Sequence, residues 1–159
     1  AGKSSLLAVL THATPKIANY PFTTLEPNIG MLDATAIADI PGLIEGASKG
    51  KGLGIDFLRH IEKTKILIHC IDLTNTSPKT SYDTVRNEFK KFNPALLAKP
   101  EYILLTKSDL ASQTTIQKMH ALFEKAGKNV MTCSIYEPKS IDALRQNLEH
   151  LLIDTPGNA

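Results

Sequence analysis

Two kinds of apolar pattern alternate along this chain of 159 residues. Nearly continuous apolar runs at residues 66–71 and 102–106 read as strands buried on both faces. His69 interrupts the first run and reads as a satisfied core or strand-end histidine rather than a ligand. Apolar positions with helical spacing predict helices over 81–92, 114–126 and 140–152, with Ser140 as a cap and Gly127 closing the middle one. A further helix is read over 4–12, where Leu6, Leu7, Val9 and Leu10 supply the apolar positions. Residues 29–32 and 35–40 read as short strands joined by a tight Asp33-Ala34 turn, and 130–133 as another. Residues 18–27, 72–79 and 93–100 read as loops. Gly42, Gly46, Gly50, Gly52 and Gly54 mark a conformationally mobile stretch that runs into a helix at about 55–62. Strands alternating with helices predict an α/β fold with a mostly parallel sheet. One domain is expected over 1–153, with 154–159 as a tail.

Four short segments stand in an order that carries chemistry. Gly2-Lys3-Ser4 opens the first helix, and the amides from Gly2 to Ser5 face the place where a phosphate would sit. Lys3 is expected to reach the β- and γ-phosphates, and Ser4 to offer its hydroxyl to Mg²⁺. Next comes the loop Tyr20-Pro21-Phe22-Thr23-Thr24, where Thr24, in preference to Thr23, would complete the Mg²⁺ shell. Phe22 and Thr23 join the expected nucleotide-binding set. Asp39-Ile40-Pro41-Gly42 follows, with Asp39 at a strand end to hold a metal-bound water. Gly42 leaves its amide open to the γ-phosphate, whose loss would release the glycine-rich stretch.

Far downstream, Thr106-Lys107-Ser108-Asp109 ends a buried strand. A carboxylate at Asp109 can accept from both N1–H and the exocyclic amine of guanine, a donor pair that adenine lacks. The Lys107 stem can lie over the base plane. Ser134 and Ile135 follow the last strand, where a backbone amide could meet the guanine O6. A complete phosphate loop has an earlier glycine and a preceding buried strand. The chain is therefore read as partial at its N-terminus, with the first strand of the sheet missing.

Composition narrows the classes. Apolar content of 42% and charged content of 21% are globular values. A net charge of +2 gives no strong pull toward nucleic acid, and a ribosomal or RNA partner is neither supported nor excluded by it. No secretory signal and no apolar run of about 18 residues occur, so no membrane partner is expected. Cys70 and Cys133 read as buried reduced thiols, which fits the cytoplasm.

These segments, extended to Leu25-Glu26-Pro27-Asn28-Ile29-Gly30, Leu43-Ile44-Glu45-Gly46-Ala47-Ser48 and Phe57-Leu58-Arg59-His60-Ile61-Glu62, resemble the bacterial Obg GTPases. That family lies within the P-loop GTPases. The resemblance is dense from Gly2 to about Asp72 and rests beyond it mainly on 106–109. It implies a three-layer P-loop NTPase fold and a monomer that binds GTP and GDP with Mg²⁺. It also implies slow hydrolysis of GTP and a role in assembly of the large ribosomal subunit. Three departures stand out. The half phosphate loop lacks an asparagine that helps many such GTPases bind K⁺. Thr106 stands where Asn is usual, and Ile135 where Ala is usual. Leu43 occupies the position where many GTPases orient the attacking water with Gln. No catalytic residue is therefore assigned, and low intrinsic turnover is expected. The alternative is a guanine-nucleotide sensor whose turnover is incidental.

Overall fold

Two neighbouring strands can run parallel only if a crossover of a dozen residues or more joins them, and a helix is the usual crossover. The second half of the chain supplies two such crossovers. The computed structural model describes residues 3–11, 16–17, 28–32, 35–38 and 64–154. Helix α1 (Lys3–Thr11) precedes three short strands, β1 (Lys16–Ile17), β2 (Asn28–Leu32) and β3 (Thr35–Ala38). Then come β4 (Leu67–Asp72), α2 (Pro78–Phe92), β5 (Glu101–Thr106), α3 (Gln113–Lys125), β6 (Asn129–Thr132) and α4 (Pro138–Asp154). Short 3-10 turns at Pro94–Ala98 and Ser108–Leu110 flank β5.

Strands β4, β5 and β6 form a parallel sheet in that order, with Ile68 opposite Tyr102 and Leu104 opposite Met131. Successive side chains of β5 point to opposite faces. Leu104 shares a core with Leu6 and Leu10 of α1 and with Ile141, Leu144 and Leu148 of α4. Ile103 and Leu105 share the other core with Tyr82 of α2 and Phe123 of α3. Ile103 and Leu105 are 0% exposed on one face and Leu104 is 2% exposed on the other, so the sheet is covered on both faces. This is a helix–sheet–helix sandwich. The two-residue connection at 33–34 leaves β2 and β3 no choice but to return antiparallel, Leu32 opposite Thr35. β1 adds to β2 in the same sense, with Lys16 opposite Ile29. Two residues are too short a strand to show a pattern, which is why the sequence did not reveal β1.

Helix α1 is tied down from across the core. The last carbonyls of a helix have no partner within it, and its C-terminal end favours a cation. Arg145 of α4 answers both needs. Its Nε donates to the Leu10 carbonyl at 3.0 Å and a terminal nitrogen to the Val9 carbonyl at 3.3 Å.

Two helices begin earlier than apolar spacing suggests. Helix α2 starts at Pro78 rather than at 81, because proline needs no amide partner at the first helical position. The turn before it is set by Asn75, whose Oδ1 accepts from the Ser77 amide at 2.8 Å. Helix α4 starts at Pro138 for the same reason, which places Ser140 inside the helix and not at its cap. It also runs to Asp154, past the expected end at 152. Helix α3 does close at Gly127, whose φ of +79° suits a residue without Cβ. The hairpin turn at 33–34, the loop at 18–27, the glycine-rich stretch and the helix expected over 55–62 lie outside the described residues.

The N-terminal end of the parallel sheet carries a buried charge cluster. Glu101 opens β5 with its side chain 1% exposed. It accepts from the Tyr82 hydroxyl at 3.0 Å, and Arg86, Lys128 and His69 stand 3.3, 3.7 and 3.8 Å away. His69 also packs its ring against Tyr82, as a satisfied strand histidine would.

Candidate functional site

In open α/β sheets, ligands collect outside the carboxyl ends of the parallel strands. Here those ends are level: Asp72 lies opposite Thr106, and Leu105 opposite Thr132. The chain leaves β5 through Lys107, whose φ of 61° makes it the one non-glycine residue in the left-handed region among the described residues. Such a conformation costs about 1–3 kcal/mol and persists only where surrounding bonds enforce it. The bonds are visible. Lys107 Nζ meets Asp72 Oδ2 at 2.8 Å, pinning the lysine toward β4. The Ser108 amide donates to the Cys133 carbonyl at 3.2 Å, pinning the next residue toward β6. Thr106, in place of the usual Asn, donates its hydroxyl to the Ile71 carbonyl at 3.4 Å.

Asp72 is held on both oxygens. Its Oδ1 accepts from the Thr74 amide at 2.8 Å and the Thr74 hydroxyl at 2.6 Å. Burial alone would push this carboxyl up, but the Lys107 and Thr74 hydrogen bonds outweigh it and hold it at about 2. The same Asp72 bond raises the Lys107 ammonium above its ordinary value.

Asp109 is arranged differently. Its Oδ1 accepts from Ser134 Oγ at 2.7 Å. Among the described residues that is the carboxylate's one hydrogen bond, and the side chain is exposed, so Oδ2 and the remaining lone pairs are left without a partner among them. Ser134 itself is 0% exposed. Its amide donates to Ser140 Oγ at 2.9 Å, and its own Oγ accepts from the Tyr136 amide at 3.2 Å. A buried hydroxyl that donates to one partner and accepts from another does not rotate freely, so it fixes the carboxylate it donates to.

The structure thus brings Thr106, Lys107, Asp109, Ser134 and Ile135 to one end of the sheet. It alters one expectation among them. The Ser134 amide is taken by Ser140, so the working group of Ser134 is its hydroxyl. Of the pair, Ile135 keeps an amide with no hydrogen bond among the described residues, while its side chain packs on the α1–α4 core. Lys3, Ser4 and Ser5 form the first turn of α1, where helix amides are unpaired. Gly2, Phe22, Thr23, Thr24, Asp39, Gly42 and Leu43 lie outside the described residues. Three contributors were missed from the sequence: Asp72, Ser140 and Tyr136. Only Asp72 carried a signal, as a carboxylate directly after a buried run.

No group of three His, Cys, Asp or Glu residues able to hold a metal ion occurs among the described residues. No helix among them is long and apolar enough to cross a membrane. Cys133 is buried, and burial pushes its thiol up to about 12, so it stays protonated and inert.

Comparison with known proteins agrees with this arrangement. The sequence profile described as "50S ribosome-binding GTPase" matches residues 1–107. The chain belongs to that family. Its curated relatives include Obg GTPases. It is 44% identical to GTPase Obg of Synechococcus sp. (strain CC9605), a match covering 98% of this chain and 47% of that protein. It is 46% identical to GTPase Obg of Pelagibacter ubique (strain HTCC1062), over 93% of this chain and 47% of that protein. The chain therefore spans about half the length of the curated relatives it matches. Among solved structures, a variant of Aquifex aeolicus Era bound to GDP.AlF4- superposes with a TM-score of 0.62 at 17% identity. That match covers 99% of this chain and 54% of the Era chain, and it shows the P-loop GTPase fold.

Proposed function

We propose that this chain is the switch domain of a slow GTPase that converts GTP to GDP and phosphate and acts in assembly of the large ribosomal subunit in the cytoplasm. One observation carries the nucleotide reading: Asp109, at the strand ends, is fixed through one oxygen by the buried Ser134 hydroxyl and keeps its other oxygen without a partner among the described residues. A carboxylate so held accepts two guanine donors and repels the lone pair at adenine N1. The Lys107 stem covers the base plane, and the Ile135 amide meets O6. Lys3, with the amides from Gly2 to Ser5, binds the β- and γ-phosphates at the positive end of α1.

Two hydroxyls, Ser4 and Thr24, and one carboxylate, Asp39, make a hard-oxygen donor set that suits Mg²⁺ and not a soft metal. Ser4 and Thr24 would hold the ion directly and Asp39 through water; when bound, it supplies positive charge against the phosphates. The Gly42 amide binds the γ-phosphate, and loss of that phosphate frees the glycine-rich stretch after it. Leu43 cannot hydrogen-bond a water, so turnover waits for help from K⁺ or a ribosomal surface. The ribosomal role is supported by the family and by the Obg relatives.

Leu43 also favours a second reading, a guanine-nucleotide sensor in which hydrolysis is incidental. Phosphate release from GTP by the intact protein, with and without K⁺ and large ribosomal subunits, separates the two. Slow basal release that rises on addition is expected of the GTPase. Release that neither addition changes belongs to the sensor.

A further inference from the structure

An exposed aromatic ring at the rim of a polar site is worth questioning, because purines offer a flat face as well as a hydrogen-bonding edge. Among the described residues, the exposed large apolar side chains are Val9, Leu110 and Tyr136. Two of these stand on the loops that fix the carboxylate. Leu110 directly follows Asp109, and Tyr136 lies two residues after Ser134.

Tyr136 is the most exposed of the three, at 78%. Its backbone, however, is held. The Tyr136 amide donates to Ser134 Oγ at 3.2 Å, and that same hydroxyl donates to Asp109 at 2.7 Å. The Glu137 amide donates to the Ser134 carbonyl at 3.2 Å, turning the chain into α4. The ring therefore projects from a backbone locked to the oxygen that positions the base-reading carboxylate. Asp72 fixes the Lys107 ammonium in the first place, and Lys107 also couples electrostatically to the Tyr136 side chain and the Asp109 carboxylate. Lysine, carboxylate and phenol thus share one corner of the molecule. Two tied loops, one open carboxylate and one unburied ring are the parts of a purine slot.

We infer that Tyr136 is a further nucleotide-binding residue, whose ring stacks on the purine that Asp109 reads at its edge. The inference rests on the guanine reading above. It divides the work of the site. Hydrogen bonds to Asp109 select the base, whereas stacking is tolerant of base identity and adds affinity. Stacking also ignores the phosphates, so GMP, GDP and GTP gain equally from it. Phenylalanine would serve as well as tyrosine, since the hydroxyl has no part in it.

Equilibrium binding with the intact protein tests this. Tyr136→Phe is expected to bind GDP within about twofold of the parent, and Tyr136→Ala to bind GMP, GDP, GTP and IDP more weakly by one common factor of about tenfold. The preference for GDP over ADP should not change in either variant. Tyr136→Trp supplies a direct reporter, since this stretch holds no tryptophan. The added emission should be quenched by GDP, and this decides the matter even if Tyr136→Ala fails to fold. Tyr136→Ala binding GDP as tightly as the parent, or Tyr136→Trp emission unmoved at saturating GDP, would overturn the inference and leave the guanine reading standing. A parent protein that does not prefer GDP to ADP would overturn both.

Discussion

The two ends of the parallel sheet each hold a carboxylate among cations and hydroxyls, and they use them in opposite ways. Glu101, at the N-terminal end of β5, is buried and faces Tyr82, Arg86, Lys128 and His69. Asp109, just past the C-terminal end of the same strand, is exposed and among the described residues takes one side-chain hydrogen bond, from Ser134. A carboxylate surrounded on all sides has nothing left to offer a ligand and serves the fold. A carboxylate held by one oxygen is both fixed and available. Asp72 lies between these extremes: saturated by Lys107 and Thr74, it positions the lysine that would cover the base.

This contrast can be broken by substitution, starting with Glu101. Glu101→Ala leaves Arg86 buried without its counter-charge, and removal of one partner from a buried pair costs about 3–5 kcal/mol. Urea unfolding should show that loss, while the ratio of GDP to ADP affinity stays as in the parent. A changed ratio would mean that the two ends are not separable. Asp109→Asn acts in the other sense. It should cost about 2–4 kcal/mol of GDP binding, or roughly 30- to 1000-fold, with unfolding nearly unchanged. Xanthine carries a carbonyl where guanine carries its amine, so XDP should gain on this variant as GDP loses.

Smaller effects sharpen the picture. Ser134→Ala removes the buried hydroxyl that fixes Asp109. GDP affinity should fall by about 1 kcal/mol, roughly fivefold, in competition binding. The same change in Asp109→Asn should do less, because the two residues act through one bond. Asp72→Asn weakens the hold on Lys107 at a half-exposed pair, so base affinity should fall less than in Ser134→Ala.

Acid gives the subtlest test. Burial pushes the Glu101 carboxyl up, but the neighbouring His69 and Arg86 groups outweigh it and hold it below its ordinary value. A carboxyl depressed by folding adds stability above its unfolded value and loses it as pH falls through the folded one. Parent stability should therefore decline as pH drops below about 4. Glu101→Gln should start less stable near neutrality and show a flatter decline, measured by unfolding across pH 3–6.

The physical reasons for what the sequence revealed are uneven. Leu104, flanked by Ile103 and Leu105, announced a strand covered on both faces, and Gly127 announced a helix end, because each depends on near neighbours. Pro78 and Pro138 opened their helices ahead of the first apolar position, where a periodicity count does not look. Ser140 read as a cap because it stands before an apolar run. Its true partner, the Ser134 amide, comes from the end of another strand. Asp72 with Lys107, and Glu101 with Arg86, meet across 35 and 15 residues of chain, and nothing local marks such pairs. Lys107 and Asp109 stood out in the linear sequence, but the hydroxyl that makes Asp109 a fixed reader needed the fold.

The most direct measurement is equilibrium binding of a fluorescent GDP to the intact protein with Mg²⁺, competed separately by GTP and by ATP. If Asp109, held by Ser134, reads the guanine edge, GTP displaces the probe and ATP does not. Displacement by ATP at similar concentration would contradict the role given to Asp109.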